Sequence, residues 1–301
     1  MDKEKLIKDF SVYLRLERGL SENTLINYQL DIEKFLNFLA VEIQSIDQVG
    51  EEEVRAFIYS IGNFYSTATQ ARFLASLNSF FTYLQLEERI RHNPVKFIEH
   101  PKMERKLPVV LTLDEIYKII DTIPDTTLEE QRNKVMLETL YSCGFRVSEL
   151  ISLKISDLFF DEGFVRVIGK GNKQRLVPIA PHTQEAIFYY LSELRGKMVN
   201  QLFSTDVLFL NRRGKPLTRA MIFILVKKYA QLAGITKEVS PHTFRHSFAT
   251  HLLENGANLF AIQAMLGHES ITTTEIYTHI EQSALKNVIE NFHPWNIKNQ
   301  E

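Results

Sequence analysis

Two prolines, Pro101 and Pro108, bracket the charged and poorly periodic run Lys102-Met103-Glu104-Arg105-Lys106-Leu107. A regular element does not pass easily through such a stretch, because each proline lacks a backbone donor and restrains the residue before it. The 301-residue chain is therefore expected to form two domains, 1–98 and 112–301, joined by a linker over 99–111. A loop inside a single domain is the alternative. With 45% hydrophobic residues, both blocks have material for a core.

Up to residue 98 the apolar residues recur at helical spacing. Leu6, Ile7, Phe10, Tyr13 and Leu14 form one stripe. Leu25, Tyr28, Ile32, Phe35, Leu36 and Leu39 form the next, after the cap types Ser21 and Asn23. Val54, Phe57 and Ile58 follow Asp47, and Phe73, Leu77, Phe80, Phe81 and Leu84 lie in a run over 67–86. Asn93-Pro94 closes a block of four short amphipathic helices. The second block opens with Thr112-Leu113-Asp114-Glu115, a capping-box pattern. A helix is expected from about 129 to 142, ending at the C-cap candidate Gly144. Two strands, 164–168 and 174–179, flank Gly169-Lys170-Gly171-Asn172-Lys173. Helices are expected over 183–195, 218–233, 242–255, 258–265 and 272–291, so the chain reads as mainly α with one small antiparallel β-sheet.

Several classes drop out. No apolar run approaches the roughly 18 residues that span a bilayer, and no apolar signal core follows the N-terminus, so a cytoplasmic protein without membrane contact is expected. Cys143 is the single cysteine and there is no Cys/His zinc spacing; it reads as a small buried hydrophobe. Neither a Walker motif nor a carboxylate cluster of metal-site type occurs, so no cofactor and no metal are expected. Charge does not single out a nucleic-acid binder: 35 Lys and Arg face 37 Asp and Glu. Through Lys106 there are 14 basic and 16 acidic residues, and 21 of each beyond it. Any grip on DNA must come from clustering cations on one face.

Taken singly, the candidate polar residues have ordinary readings. Arg146 follows Gly144-Phe145 at a helix junction with Glu149 three residues on, which alone describes a surface ion pair or a braced guanidinium. Lys170 sits in a glycine-flanked turn, either a solvated hairpin tip or an ammonium reaching into a groove. His242 and Arg245 share one face at the start of a helix after Pro241, where the exposed N–H groups favour an anion. His246 points about 100° from Arg245 and, with His251, takes a structural reading. His268 follows the C-cap candidate Gly267, and Tyr277 lies among Thr272, Thr273, Thr274 and Thr278. A phenol with a pKa of about 10 is a poor nucleophile until cations surround both it and a phosphate.

As a set, these stretches resemble the tyrosine recombinases, and most closely the Xer-type chromosome-dimer recombinases. The matching segments are Cys143-Gly144-Phe145-Arg146-Val147-Ser148-Glu149-Leu150, Gly169-Lys170-Gly171-Asn172-Lys173, Ser240-Pro241-His242-Thr243-Phe244-Arg245-His246, Leu266-Gly267-His268 and Thr274-Glu275-Ile276-Tyr277-Thr278-His279. The likeness extends over nearly the whole chain, including Arg18-Gly19-Leu20-Ser21-Glu22-Asn23-Thr24. Phe145 and Phe244 stand where leucine is commoner, and Trp295 follows His293-Pro294 where a basic residue is common.

The resemblance implies a four-helix SAM-like DNA-binding domain followed by a larger, mostly helical catalytic domain. It implies a site of Arg146, Lys170, His242, Arg245, His268 and Tyr277, with Tyr277 forming a 3′-phosphotyrosyl link and Glu149 orienting Arg146. Its partners would be a double-stranded DNA recombination site and related protomers, in a homo- or hetero-tetramer, with activation by a DNA translocase allowed by analogy. The tail from about 284 to 295 would dock on a neighbouring protomer in the DNA complex; packing on its own domain is the alternative. A type IB topoisomerase, a mobile-element integrase and a non-enzymatic DNA-binding regulator are the rivals.

Overall fold

The computed structural model describes residues 3–39, 45–99, 101, 108–169, 173–198, 206–267 and 279–297. The chain separates into two compact units, Met1–Lys106 and Leu107–Glu301.

In the first unit, α1 (Lys3–Leu16), α2 (Glu22–Leu39), α3 (Glu51–Gly62) and α4 (Thr67–Leu86) enclose one core, with a short 3₁₀ turn at Ile46–Gln48 before α3. Aromatic edges interlock there: Phe35 meets Phe57 and Phe81, and Phe10 meets Phe80 at 5.2 Å between ring centroids. Edge-to-face pairs of this kind add to simple area burial because the positive ring edge faces a negative ring face. Ser66 caps α4 by accepting the N–H of Thr69. One charge is sunk into this core. Asp31, 1% exposed, accepts from Arg72 at 2.6 Å, yet burial still raises its carboxyl above the ordinary value.

The second unit is organised around α6 (Leu128–Ser142), on which every residue from Val135 to Ser142 is buried. A helix enclosed on all sides shows no amphipathic stripe, so its period is faint in the sequence. Two of its buried polar side chains find partners inside the unit: Arg132 donates to the Leu210 carbonyl at 2.7 Å, and Asn133 donates to Tyr229 Oη at 2.9 Å. Around it lie α5 (Leu113–Asp121), α7 (Val147–Ser152), β1 (Leu158–Phe159), β2 (Phe164–Ile168), β3 (Gln174–Pro178) and α8 (Pro181–Tyr189). A π-helical turn at Tyr190–Arg195 carries α8 into α9 (Gly196–Met198); α10 (Arg219–Leu232), α11 (Pro241–Glu254), α12 (Leu259–Leu266), α13 (His279–Phe292) and α14 (Pro294–Ile297) complete the unit. The sheet is antiparallel in the order β1-β2-β3, with Val165 opposite Val177 and Val167 opposite Arg175. Among the described residues, no helix is long and apolar enough to cross a membrane.

Leu111, at the end of the expected linker, is a fully buried core residue of the second unit, and its N–H donates to Ser247 Oγ at 2.9 Å. Cys143 is fully buried, and burial pushes its thiol up to about 12. Phe145 and Phe244 are also fully buried. In this single chain the tail packs on its own unit. Leu285, Val288, Ile289 and Trp295 join the core, and Trp295 lies against Tyr117, Tyr141, His182 and His293. His251 shares a 2.8 Å hydrogen bond with Tyr141 Oη, a satisfied core histidine.

Gly144 ends α6 at φ +58, and a Cβ there would stand 2.4 Å from the Phe248 ring. Both the left-handed backbone and the overlap oppose a side chain. Gly144→Ala should destabilise the fold by about 2 kcal/mol or more, read as a lowered midpoint in chemical denaturation; an unchanged midpoint would contradict the packing described.

Candidate active site

α12 ends at Gly267, whose φ of +65 closes the helix in the left-handed conformation. The last carbonyls of any helix have no partner within it and carry partial negative charge. Here three successive ones are each met by a different arginine. Arg175 Nε donates to Met265 O at 2.7 Å, Arg245 Nη2 to Leu266 O at 2.6 Å, and Arg146 Nη2 to Gly267 O at 3.0 Å. The three guanidiniums come from β3, α11 and the start of α7, so that one helix end gathers residues far apart in the chain.

Glu149 lies in their midst, 2% exposed. Its position follows from local structure, because Arg146 is the N-cap of α7 and Glu149 its third residue. The Arg146 N–H donates to Glu149 Oε2 at 2.7 Å and Arg146 Nη1 to Oε1 at 2.9 Å. Arg175 grips the same carboxylate with both ends of its fork, at 2.7 and 2.9 Å. Arg245 Nη1 stands 3.8 Å from Oε2 and donates to the Gly144 carbonyl at 2.8 Å. Three guanidiniums against one carboxylate leave a surplus of two positive charges.

The protonation states follow. Burial would raise the Glu149 carboxyl, but hydrogen bonds and charge from Arg175 and Arg146 outweigh it and hold it below the ordinary carboxylate range. Burial, aided by the Arg146 charge, pushes Arg245 down to about 10, so it remains a cation at neutral pH. Arg146 has the most exposed side chain of the three, at 33% against 13% for Arg175 and 10% for Arg245.

His242 is exposed in the first turn of α11, which Ser240 caps and Pro241 opens. It borders a groove of about 590 Å³ with Arg245, His246, Leu259, Ile262 and Gln263. His246, read from its helical phase as structural, is instead exposed on this groove, one turn beyond His242. Lys170, His268 and Tyr277 lie outside the described residues, but their flanks do not. Gly169 closes the β2–β3 ladder through its N–H to Lys173 O at 2.8 Å. A Cβ on Gly169 would stand 3.5 Å from Arg175 Nη1 and 4.0 Å from Glu149 Oε1. Gly267, before His268, carries the carbonyl bound by Arg146. α13, which begins two residues after Tyr277, packs against α12 and β3. Arg146, Arg245 and Glu149 thus share one site, with His242 on the groove that Arg245 lines.

Two features escaped the reading of the sequence. Arg175 is one of these: in the sequence it is a strand residue, and the two-residue alternation puts it in phase with Val177 and Ile179, on the inward face. The stretch 207–237 holds seven cations and no acid, a local cluster masked by the near-neutral total. Arg212, Arg213, Lys215, Arg219, Lys227 and Lys228 are exposed there, and Phe223 on the same helix lies 6.4 Å from the His242 ring. Among the described residues, no group of three or more His, Cys, Asp or Glu could hold a metal ion.

Residues 109–284 match the phage integrase family, and residues 7–88 match the phage integrase N-terminal SAM-like domain. Tyrosine recombinase XerD of Oceanobacillus iheyensis is 42% identical over 294 residues, covering 97% of this chain and 99% of the relative. The chain belongs to the phage integrase family, among its Xer-type tyrosine recombinases. Tyrosine recombinase XerD of Listeria monocytogenes is 41% identical, with 96% and 98% covered. In fold, the recombinase is similar to the XerH site-specific recombinase in a post-cleavage complex with its difH substrate, at TM-score 0.71 and 23% identity, covering 98% of this chain and 83% of that one. It is also similar to lambda integrase solved as a tetramer on a Holliday junction, at TM-score 0.70 and 20% identity, covering 91% and 80%.

Glu149 titrates lower folded than unfolded, so its stabilisation is complete above its ordinary 4.5 and is lost as pH falls through its folded value. Glu149→Gln should remove that acid-side loss and destabilise the protein by about 3 kcal/mol at pH 7, through poorly compensated guanidiniums. Thermal unfolding between pH 3 and 7 checks this; parallel curves for the two proteins would contradict it.

Proposed function

We propose that this recombinase cuts and rejoins double-stranded DNA at a specific site through a 3′-phosphotyrosyl intermediate, and that it resolves chromosome dimers in the cytoplasm. The supporting observation is the convergence of Arg146 and Arg245 beside buried Glu149, with the residues preceding Lys170 and His268 at the same place. Likeness to XerD proteins over nearly the full chain supports the chromosomal role.

In this reading the Tyr277 hydroxyl attacks the scissile phosphorus in line. A phosphorus–oxygen bond forms to Tyr277 as the bond to the 5′-oxygen breaks. Arg146 and Arg245 bind the non-bridging oxygens, where negative charge builds in the transition state, and their fixed hydrogen bonds mean that little reorganisation is needed at that moment. Lys170 gives a proton to the departing 5′-oxygen, His242 assists removal of the Tyr277 proton, and His268 hydrogen-bonds the phosphate. A free 5′-hydroxyl of the exchanged strand then attacks the phosphotyrosine, releasing Tyr277. The phosphotyrosyl ester keeps roughly the energy of the original diester, so rejoining requires no nucleotide.

Exchange between two duplexes requires four cut strands and hence four protomers, identical or paired with a related recombinase. The acid-free face of α10 and the turn before it supply the duplex grip that the overall charge does not, and Phe223 carries that face to the edge of the site. The SAM-like domain of residues 7–88 adds its own contacts to the DNA.

A duplex nicked near the cleavage point traps the covalent adduct by losing the 5′-hydroxyl fragment. Wild-type protein should accumulate a protein–DNA adduct and Tyr277→Phe should form none; an adduct that survives the substitution would exclude Tyr277 as nucleophile. Arg212→Gln, Arg213→Gln and Lys215→Gln together should weaken binding and lower the salt slope by up to about 3, since each phosphate contact contributes about 0.9. An unchanged slope in a salt titration would remove this turn from the interface.

A further inference from the structure

Arg175 is a third guanidinium in the site, and none of the roles above uses it. It has contacts that a surface strand residue does not need. The side chain leaves β3 on the face shared with Val177, is 13% exposed, and joins three elements: its own strand, Glu149 at the start of α7, and the end of α12. Its Cδ would be 3.2 Å from a Cβ on Gly267, so its alkyl chain lies along the glycine whose carbonyl holds Arg146.

The arrangement on Glu149 gives this a consequence. An ionised carboxylate has about four lone-pair sites. Arg175 takes one on each oxygen, and Arg146 takes one on each through Nη1 and its backbone N–H. The carboxylate is thereby shared, and it cannot turn to close a two-toothed ion pair with Arg146 alone. It also cannot shorten its 3.8 Å approach to Arg245 without leaving the Arg175 fork. A buried, ionised glutamate between two phosphate-binding arginines would otherwise compete with the phosphate for both. A third guanidinium occupies it and keeps the site cationic. Lysine could supply the charge but not the planar pair of donors.

We propose that Arg175 is a positioning residue for strand cleavage: by holding the Glu149 carboxylate, it keeps the Arg146 and Arg245 guanidiniums available to the scissile phosphate. This rests on the reading that those two arginines bind that phosphate.

The test uses the full-length protein and the nicked duplex under single-turnover conditions with protein saturating. Arg175→Lys should bind DNA within about threefold of wild type yet cleave roughly tenfold to a hundredfold more slowly, the range in which small displacements of reacting partners act. In a Glu149→Gln background, Arg175→Lys should slow cleavage by less than about threefold further, because both changes act through one carboxylate. A second substrate carries a methylphosphonate at the scissile position, which removes the non-bridging charge. The Arg175→Lys deficit should shrink on it. The ratio of the two rates within one preparation does not depend on the folded fraction, so a partly unfolded variant still reports. A ratio equal to that of wild type, or effects of the two substitutions that multiply, would overturn the proposal and leave Arg175 a structural ion pair. Arg146→Ala and Arg245→Ala, run alongside, test the underlying reading separately. If both cleave the ordinary substrate normally, that reading fails whatever Arg175→Lys does.

Discussion

The C-terminus of α12 is the point on which the catalytic unit turns. Three consecutive carbonyls left unpaired by the end of that helix each accept a hydrogen bond from a different guanidinium. Glu149, fixed by the first turn of α7, binds two of those arginines and approaches the third. A helix end alone is too weak an acceptor to gather three cations against their mutual repulsion, and a single carboxylate leaves them in surplus. Together the two define a site that stays positive.

That site depends on packing some distance from it. Gly144 can turn back at the end of α6 because it lacks a Cβ, and its carbonyl then meets Arg245 while the next residues start α7. α6 is held by the surrounding shell of helices, and the sheet brings Arg175 and Gly169 to Glu149. The tail closes the shell: Trp295 fits among aromatic rings beside Tyr141, and burial with the nearby His251 pushes His293 down to about 3. A neutral histidine suits this apolar position. The residue that stands where a basic one is common is therefore a core residue in this chain.

Much of the fold was legible in the residues. The four amphipathic stripes of the first unit became four helices, α5 starts at its capping box, and α6, α10, α11 and α12 lie within a few residues of the expected spans. Local capping fixes these starts, since Thr112, Thr218, Ser240 and Asn258 each accept a backbone N–H at the start of their helix, although only Thr112 is read as a cap from the sequence. Boundaries slipped where local signals were silent. α8 and α9 are joined by a π-helical turn that no cap announces, and Leu111 reads as linker until Ser247 and the core are seen around it. The angle of His246 to Arg245 carries no information on the groove beside α11, which is open.

What the sequence determined by itself is the set of candidate reactive groups and the local geometry that short-range rules control: helix starts, the Arg146–Glu149 cap, the glycines at Gly144 and Gly267, and the strand phase of Arg175. Only the tertiary structure decided which of these meet. The contacts of Arg175 with Glu149, of Arg245 with Gly144 and of all three arginines with α12 cross from 21 to 121 residues of chain. No local preference encodes such separations; they arise when buried apolar faces set the helices and sheet against one another, and the polar groups carried inward must then find partners.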